Sequence, residues 1–134
     1  MDGALFFVAD LLRGVDLPIH LFTLSASSYH GGTQSTGEVR VAWPEGVSFE
    51  GRHVLVLDDI LDEGITLAAI RDKVLENGAK AFYSAVLTEK ETGKPKPFKA
   101  DFVGLTVPDR YVFGFGMDIH GLWRNLPAIY AVKD

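Results

Sequence analysis

The stretch His53 to Leu67, HVLVLDDILDEGITL, constrains this chain more than any other. Apolar residues from Val54 to Leu57 run into Asp58, Asp59 and Asp62, and Gly64 and Thr66 then open a helix-like pattern. That order reads as a buried strand, an acidic loop and a helix start. Open α/β sheets bind their ligands at such carboxyl ends of strands. A glycine and a hydroxyl at the mouth of a helix can offer backbone N–H groups and an O–H to a phosphate. The preceding carboxylates would repel a bare phosphate, but they suit sugar hydroxyls or Mg²⁺. The loop therefore asks for a sugar phosphate together with a metal.

The remaining elements follow from spacing. After Thr66, Leu67, Ile70 and Val74 share one helical face, and Asn77-Gly78 supplies the stop. Ala81 to Leu87 is a second short apolar run, so a strand, helix, strand crossover with parallel strands is expected. Repetition of that unit predicts an α/β fold with a Rossmann-like, mainly parallel sheet flanked by helices. Leu5, Val8, Leu11 and Leu12 predict an N-terminal helix closed by Gly14. A strand is expected over IHLFTL, residues 19–24, then a loop over Ser25 to Gly37, rich in Ser, Gly and Thr, and a strand over GEVRVAW. Two short strands are expected on either side of Pro108-Asp109, and AIYAV makes a last one.

Composition narrows the class. With 134 residues, 47% of them hydrophobic, a single domain spanning 1–134 has material for one core. A formal charge of -5 gives no basic excess for nucleic-acid binding as a main role. The absence of cysteine removes disulfides, thiolate chemistry and zinc-cysteine sites. No apolar run approaches the roughly 18–20 residues of a membrane span. A cytoplasmic enzyme with no membrane partner is the expectation.

The central stretch resembles the PRPP-binding signature of type I phosphoribosyltransferases: an apolar strand, paired acids Asp58-Asp59, apolar Ile60-Leu61, then Asp62-Glu63-Gly64-Ile65-Thr66. Further matches in the same order make the chain similar to the hypoxanthine-guanine branch of that family. The resemblance implies transfer of phosphoribosyl from PRPP to a 6-oxopurine, with Mg²⁺ as cofactor. It implies that Asp58 and Asp59 attend the ribose and its metal, that Asp62 is the catalytic carboxylate facing purine N7, and that Glu63, Gly64, Ile65 and Thr66 wrap the 5′-phosphate. Glu63 stands where the family has a small hydroxyl residue, so it is expected to turn outward. Lys90 matches the lysine that donates to the exocyclic oxygen of the purine, Tyr111 the aromatic on which the base stacks, and Val112 the residue whose backbone reads its edge. Asp118 matches a carboxylate of the metal shell and Arg124 the arginine that contacts pyrophosphate. Ser28 and Tyr29 match the pair that closes over the reacting centre.

At the N-terminus, Asp2 and Gly3 resemble the last part of a pyrophosphate-holding loop that a strand normally precedes. The expectation is a chain lacking that strand, in which backbone groups bind the anion, because Asp2 carries the wrong charge for it. Homodimers or homotetramers are the family's usual assemblies. Two alternatives stay open: a PRPP- or nucleotide-binding regulatory module without catalysis, and the same chemistry on xanthine or a pyrimidine.

Overall fold

The computed structural model describes residues 2–29 and 38–133, with the side chains of Ser28, Tyr29 and Glu38 left aside. A 3-10 turn, Asp2–Ala4, leads into α1, Leu5–Arg13. A hairpin follows, β1 (Ser25–Tyr29) with β2 (Glu38–Ala42). Next come β3 (His53–Leu61), α2 (Ile65–Glu76), β4 (Ala81–Lys90) and β5 (Phe102–Val107). The short strands β6 (Val112–Phe113) and β7 (Tyr130–Ala131) close the order.

The centre is a parallel sheet in the order β3-β4-β5, with α2 between β3 and β4 as the crossover. One face of α2 buries Leu67, Ile70 and Val74, the residues whose spacing predicts it. They meet Val86, Leu61, Phe49, Phe98 and Ala100 in the main core, with Val54, Val56 and Phe82 packed alongside. Ala26 and Val41 of the hairpin pack on the same cluster, so β1 and β2 lie against α2 rather than extending the sheet. On the other face of the sheet Leu55, Tyr83 and Phe102 remain exposed. The fold class is thus as the sequence predicts: α/β, with a parallel sheet and helices.

Three local expectations change, and the stop at Gly14 holds. The strand expected over 19–24 is irregular, with Ile19, Leu21 and Phe22 exposed, and pairing begins at Ser25. Ser25 to Tyr29 is therefore a strand, where a loop over Ser25 to Gly37 was expected. Strand preference is largely the fit of side chains to a paired neighbour, and β2 supplies that neighbour to Ser-Ala-Ser-Ser-Tyr. Residues 30–37 lie outside the described part. The acidic pair Asp58-Asp59 belongs to β3 itself and not to a loop beyond it, since β3 continues to Leu61 and pairs with β4 to Glu89. Gly14 ends α1 with φ -88, a right-handed conformation, so it closes the helix through its N–H to Leu11 O rather than through a left-handed turn.

Two tethers hold the start of β5 to β4. Ser84, fully buried, gives its backbone N–H to the Asp101 carboxylate at 2.8 Å, and the Asp101 N–H donates to Ser84 Oγ at 3.1 Å. This pair fastens the chain entering β5 to the middle of β4. Removing apolar volume from the α2 face should cost stability directly. Leu67→Ala is expected to destabilise the fold by about 2–5 kcal/mol, read as a lower urea midpoint with an unchanged slope.

Candidate active site

A cleft of about 540 Å³ opens at the carboxyl end of the sheet, lined by residues from both ends of the chain and from its middle. Asp59, Ile60 and Asp62 come from β3 and the turn after it, and Lys90 ends β4. Tyr111, Val112, Met117, Asp118 and Arg124 come from the C-terminal segment, Asp2 and Gly3 from the N-terminal turn, and Ser25 from β1.

An ion pair lines the cleft. Lys90 Nζ donates to Asp62 Oδ2 at 3.2 Å, with the lysine side chain 13% exposed and the aspartate 48%. Each is the first residue past the paired positions Leu61 and Glu89, so the strand register itself sets them side by side. Beneath them Thr88, fully buried, donates its hydroxyl to Asp59 O at 2.9 Å and ties the acidic end of β3 to β4.

The Asp58-Asp59 pair is wound tightly. The Asp59 N–H donates to Asp58 Oδ1 at 2.9 Å, and the Ile60 N–H to Asp59 Oδ1 at 2.8 Å. Asp59 lines the cleft and Asp58 does not. Burial, reinforced by hydrogen bonding and charge repulsion from Asp59, pushes the Asp58 carboxyl up to about 7. The other oxygen of Asp59 lies so close to Gly3 that a Cβ there would collide with it. A glycine is what lets the N-terminal turn reach the acidic strand.

The C-terminal wall is built the same way. Gly116, at φ +102, sits where a Cβ would come within 2.6 Å of Gly3 O, so the two glycines let the two ends of the chain meet. Arg124 Nη1 donates to Gly116 O at 2.8 Å, and its other nitrogen lies 3.7 Å from Asp118 Oδ1. Asp118 also accepts the Gly121 N–H at 2.8 Å, and its carbonyl accepts the Tyr111 hydroxyl at 2.7 Å. That last bond anchors the tyrosine by its rim while the residue stays 52% exposed.

The turn that opens α2 depends on Gly64, which has φ +87 and is buried beneath Phe98 and Lys96. A Cβ there would come within 3.3 Å of Phe98 Cβ, and positive φ disfavours other residues independently. Glu63 is exposed, as its place in the loop predicts, and Thr66 is partly exposed. Glu63, Gly64, Ile65 and Thr66 adjoin the cleft in sequence without lining it. The side chains of Ser28 and Tyr29 lie outside the described residues.

Of the residues singled out from sequence, Asp2, Gly3, Asp59, Asp62, Lys90, Tyr111, Val112, Asp118 and Arg124 converge on this one cleft. Ser25, Ile60 and Met117 line it too, and sequence reasoning gave them no role. Ile60 had a signal in the apolar run of β3, whereas Ser25 had none. No three or more His, Cys, Asp or Glu side chains cluster as a metal cage among the described residues. Mg²⁺ does not require one, because it is commonly held by one or two carboxylates together with substrate phosphates and water. Asp59 and Asp118, hard oxygen donors that both line the cleft, fit that pattern.

The chain is similar in sequence and fold to known proteins. Residues 1–120 match the family model described as the phosphoribosyl transferase domain. The hypoxanthine-guanine phosphoribosyltransferase of Staphylococcus epidermidis is 37% identical over 133 residues, covering 99% of this chain and 74% of the relative. That of Aquifex aeolicus is 37% identical over 134 residues, covering 100% of this chain and 75% of the relative. A crystal structure of a hypoxanthine phosphoribosyltransferase from Staphylococcus aureus superposes with TM-score 0.88 at 35% identity, covering 99% of this chain and 72% of that one.

The buried acid gives a pH test. A carboxyl raised from 3.8 to about 7 by folding favours the fold below the lower value and loses that contribution as pH rises through the upper one. Asp58→Asn, which cannot ionise, should be more stable than the parent at pH 8 by about 1–3 kcal/mol. The advantage should vanish near pH 4, as read from urea midpoints at both values.

Proposed function

We propose, on the premise that this chain belongs to the hypoxanthine-guanine phosphoribosyltransferase family, that it transfers the 5-phosphoribosyl group of PRPP to N9 of hypoxanthine or guanine. The products are IMP or GMP and pyrophosphate. The family performs PRPP-dependent purine salvage. The observation that carries the reading to this chain is the Asp62–Lys90 pair, which shares the lining of one cleft with Tyr111, Asp59, Gly3 and Arg124.

The reaction is a displacement at C1′ in which pyrophosphate departs as the base arrives. The site must receive a leaving anion while tolerating positive charge on the sugar. Arg124, held by Gly116 O with its other nitrogen toward the cleft wall, supplies a guanidinium fork for the diphosphate. Asp2 and Gly3 contribute backbone groups, the Asp2 carboxylate being unsuited to an anion. The α2 opening, Glu63 to Thr66, offers backbone N–H groups and the Thr66 hydroxyl to the 5′-phosphate. Ser28 and Tyr29 close over the centre, where excluding water prevents hydrolysis of the activated sugar.

The base is read from the opposite side. Lys90 donates to the 6-oxo group, which an adenine amino group cannot replace as acceptor. Tyr111, braced through its hydroxyl, offers its ring for stacking, and Val112 reads the purine edge through its peptide groups. Asp62, paired with Lys90, takes the N7 proton as N9 becomes nucleophilic, a general-base role for a positioned carboxylate. Asp59 and Asp118 are the groups that would hold Mg²⁺, and Asp58, which does not line the cleft, accepts the Asp59 backbone N–H and so steadies the backbone from which that carboxylate leaves. Bound Mg²⁺ would serve as a template and charge clamp on the diphosphate. The reading carries with it a cytoplasmic enzyme, one catalytic domain over 1–134, and assembly as a homodimer or homotetramer.

Nucleotide formation from Mg²⁺, PRPP and each base tests it. Turnover is expected with hypoxanthine and guanine and none with adenine. Turnover confined to xanthine would reassign the substrate, and PRPP binding without turnover of any base would make the chain a binding module. Asp62→Asn should lower kcat by about 10²–10⁴ while leaving the KM for PRPP within about threefold. Equal loss of both would remove Asp62 from proton transfer.

A further inference from the structure

Lys96 lies in the polar segment 91–99, where lysines ordinarily point to solvent, yet its side chain is only 12% exposed. Its Nζ donates to Lys90 O at 2.6 Å and lies 3.4 Å from a Glu89 carboxylate oxygen. The stem of the same side chain covers the loop that opens α2, its Cβ lying 3.5 Å from where a Cβ on Gly64 would stand. Lysine commonly buries its stem and keeps its ammonium wet. Here the ammonium is spent on a backbone carbonyl and a carboxylate next to the lysine that pairs with Asp62.

We propose that Lys96 is a positioning residue that couples the base-reading end of β4 to the phosphate-side turn at Gly64. Its ammonium fixes the peptide of Lys90 and so the direction in which the Lys90 side chain leaves the strand. Its stem, with Phe98, roofs the left-handed turn from which Glu63 to Thr66 face the 5′-phosphate. Charge-assisted hydrogen bonds are the stronger kind. Neither Lys94 nor Lys99 can substitute for it, since both are exposed. Because Lys96 contacts no reacting atom in this scheme, its loss should act on substrate binding before it acts on chemistry.

The inference rests on the proposed transferase reading, so the test separates the two. Wild type, Lys96→Met, Lys96→Arg and Lys94→Met are compared by steady-state kinetics with PRPP and hypoxanthine, and by amide hydrogen exchange over the peptides containing residues 63–67 and 89–91. Lys96→Met is expected to raise both KM values about tenfold with kcat within about threefold, and to speed exchange in both peptides together. Lys96→Arg, which keeps a charged donor, should recover most of both effects, and Lys94→Met should show neither. Unchanged KM values, or exchange that rises in only one peptide, would overturn the coupling. Should Lys96→Met fail to fold, Glu89→Gln takes its place: it leaves the bond to Lys90 O intact and is expected to keep both KM values within about twofold, and a larger rise would overturn the assignment. A wild-type protein without turnover whose Lys96→Met variant still shows the paired exchange response would refute the transferase reading and leave the coupling standing.

Discussion

The parallel ladder between β3 and β4 is the constraint on which the site depends. Leu61 pairs with Glu89, so the next residue of each segment, Asp62 and Lys90, emerges beside the other and forms the ion pair that lines the cleft. Strand side chains alternate between faces, so slipping one strand by a single residue would turn every one of them over. Asp59 and Asp62 would then lose their places toward the cleft. The register is held from below by apolar packing of Val54, Val56, Phe82 and Val86 on α2, and from above by Thr88 donating to Asp59 O. A core and a site are thus specified by the same hydrogen-bonded rungs.

Close approach of backbones is the second requirement. Gly3 presses on the Asp59 carboxylate and Gly116 presses on Gly3 O, so three segments far apart in sequence converge where a single Cβ would separate them. Gly64 plays a different part, supplying a left-handed turn under Phe98 and Lys96 that redirects the chain from strand to helix. Gly3 lets the Asp59 carboxylate, with Asp58 behind it, lie near the Arg124 guanidinium, which can meet an anion. Charge of both signs within one cleft suits a reaction in which a diphosphate leaves while positive charge builds on a sugar. The upward shift of Asp58 follows first from its burial, which penalises the charged form, and then from the hydrogen bonding and negative charge of the neighbouring Asp59.

Much of this was legible in the sequence. The central motif identified the strand, the turn and the helix with its Leu67, Ile70 and Val74 face, because buried periodicity is a local property that neighbouring residues share. The boundary of β3 was not legible: two aspartates looked like a loop, and only pairing with β4 carries them into the strand. The hairpin was displaced for the same reason, since Ser25 to Tyr29 has little strand preference until β2 lies beside it, whereas the apolar run before it finds no partner strand among the described residues.

What the sequence by itself determined was the chemistry available: a hydroxyl and a glycine at a helix mouth, carboxylates following an apolar strand, a lysine and a tyrosine farther on, and no thiol. These are consequences of residue type and spacing, which act over a few positions. What only the tertiary structure decided was which of them meet. That Asp59 faces the cleft while Asp58 lies behind it, that Arg124 is braced on Gly116, and that one lysine of a polar segment turns inward to hold Lys90 O, all depend on contacts between residues remote in the chain. No local pattern encodes them, because the energy that selects each arrangement comes from a partner that only folding supplies.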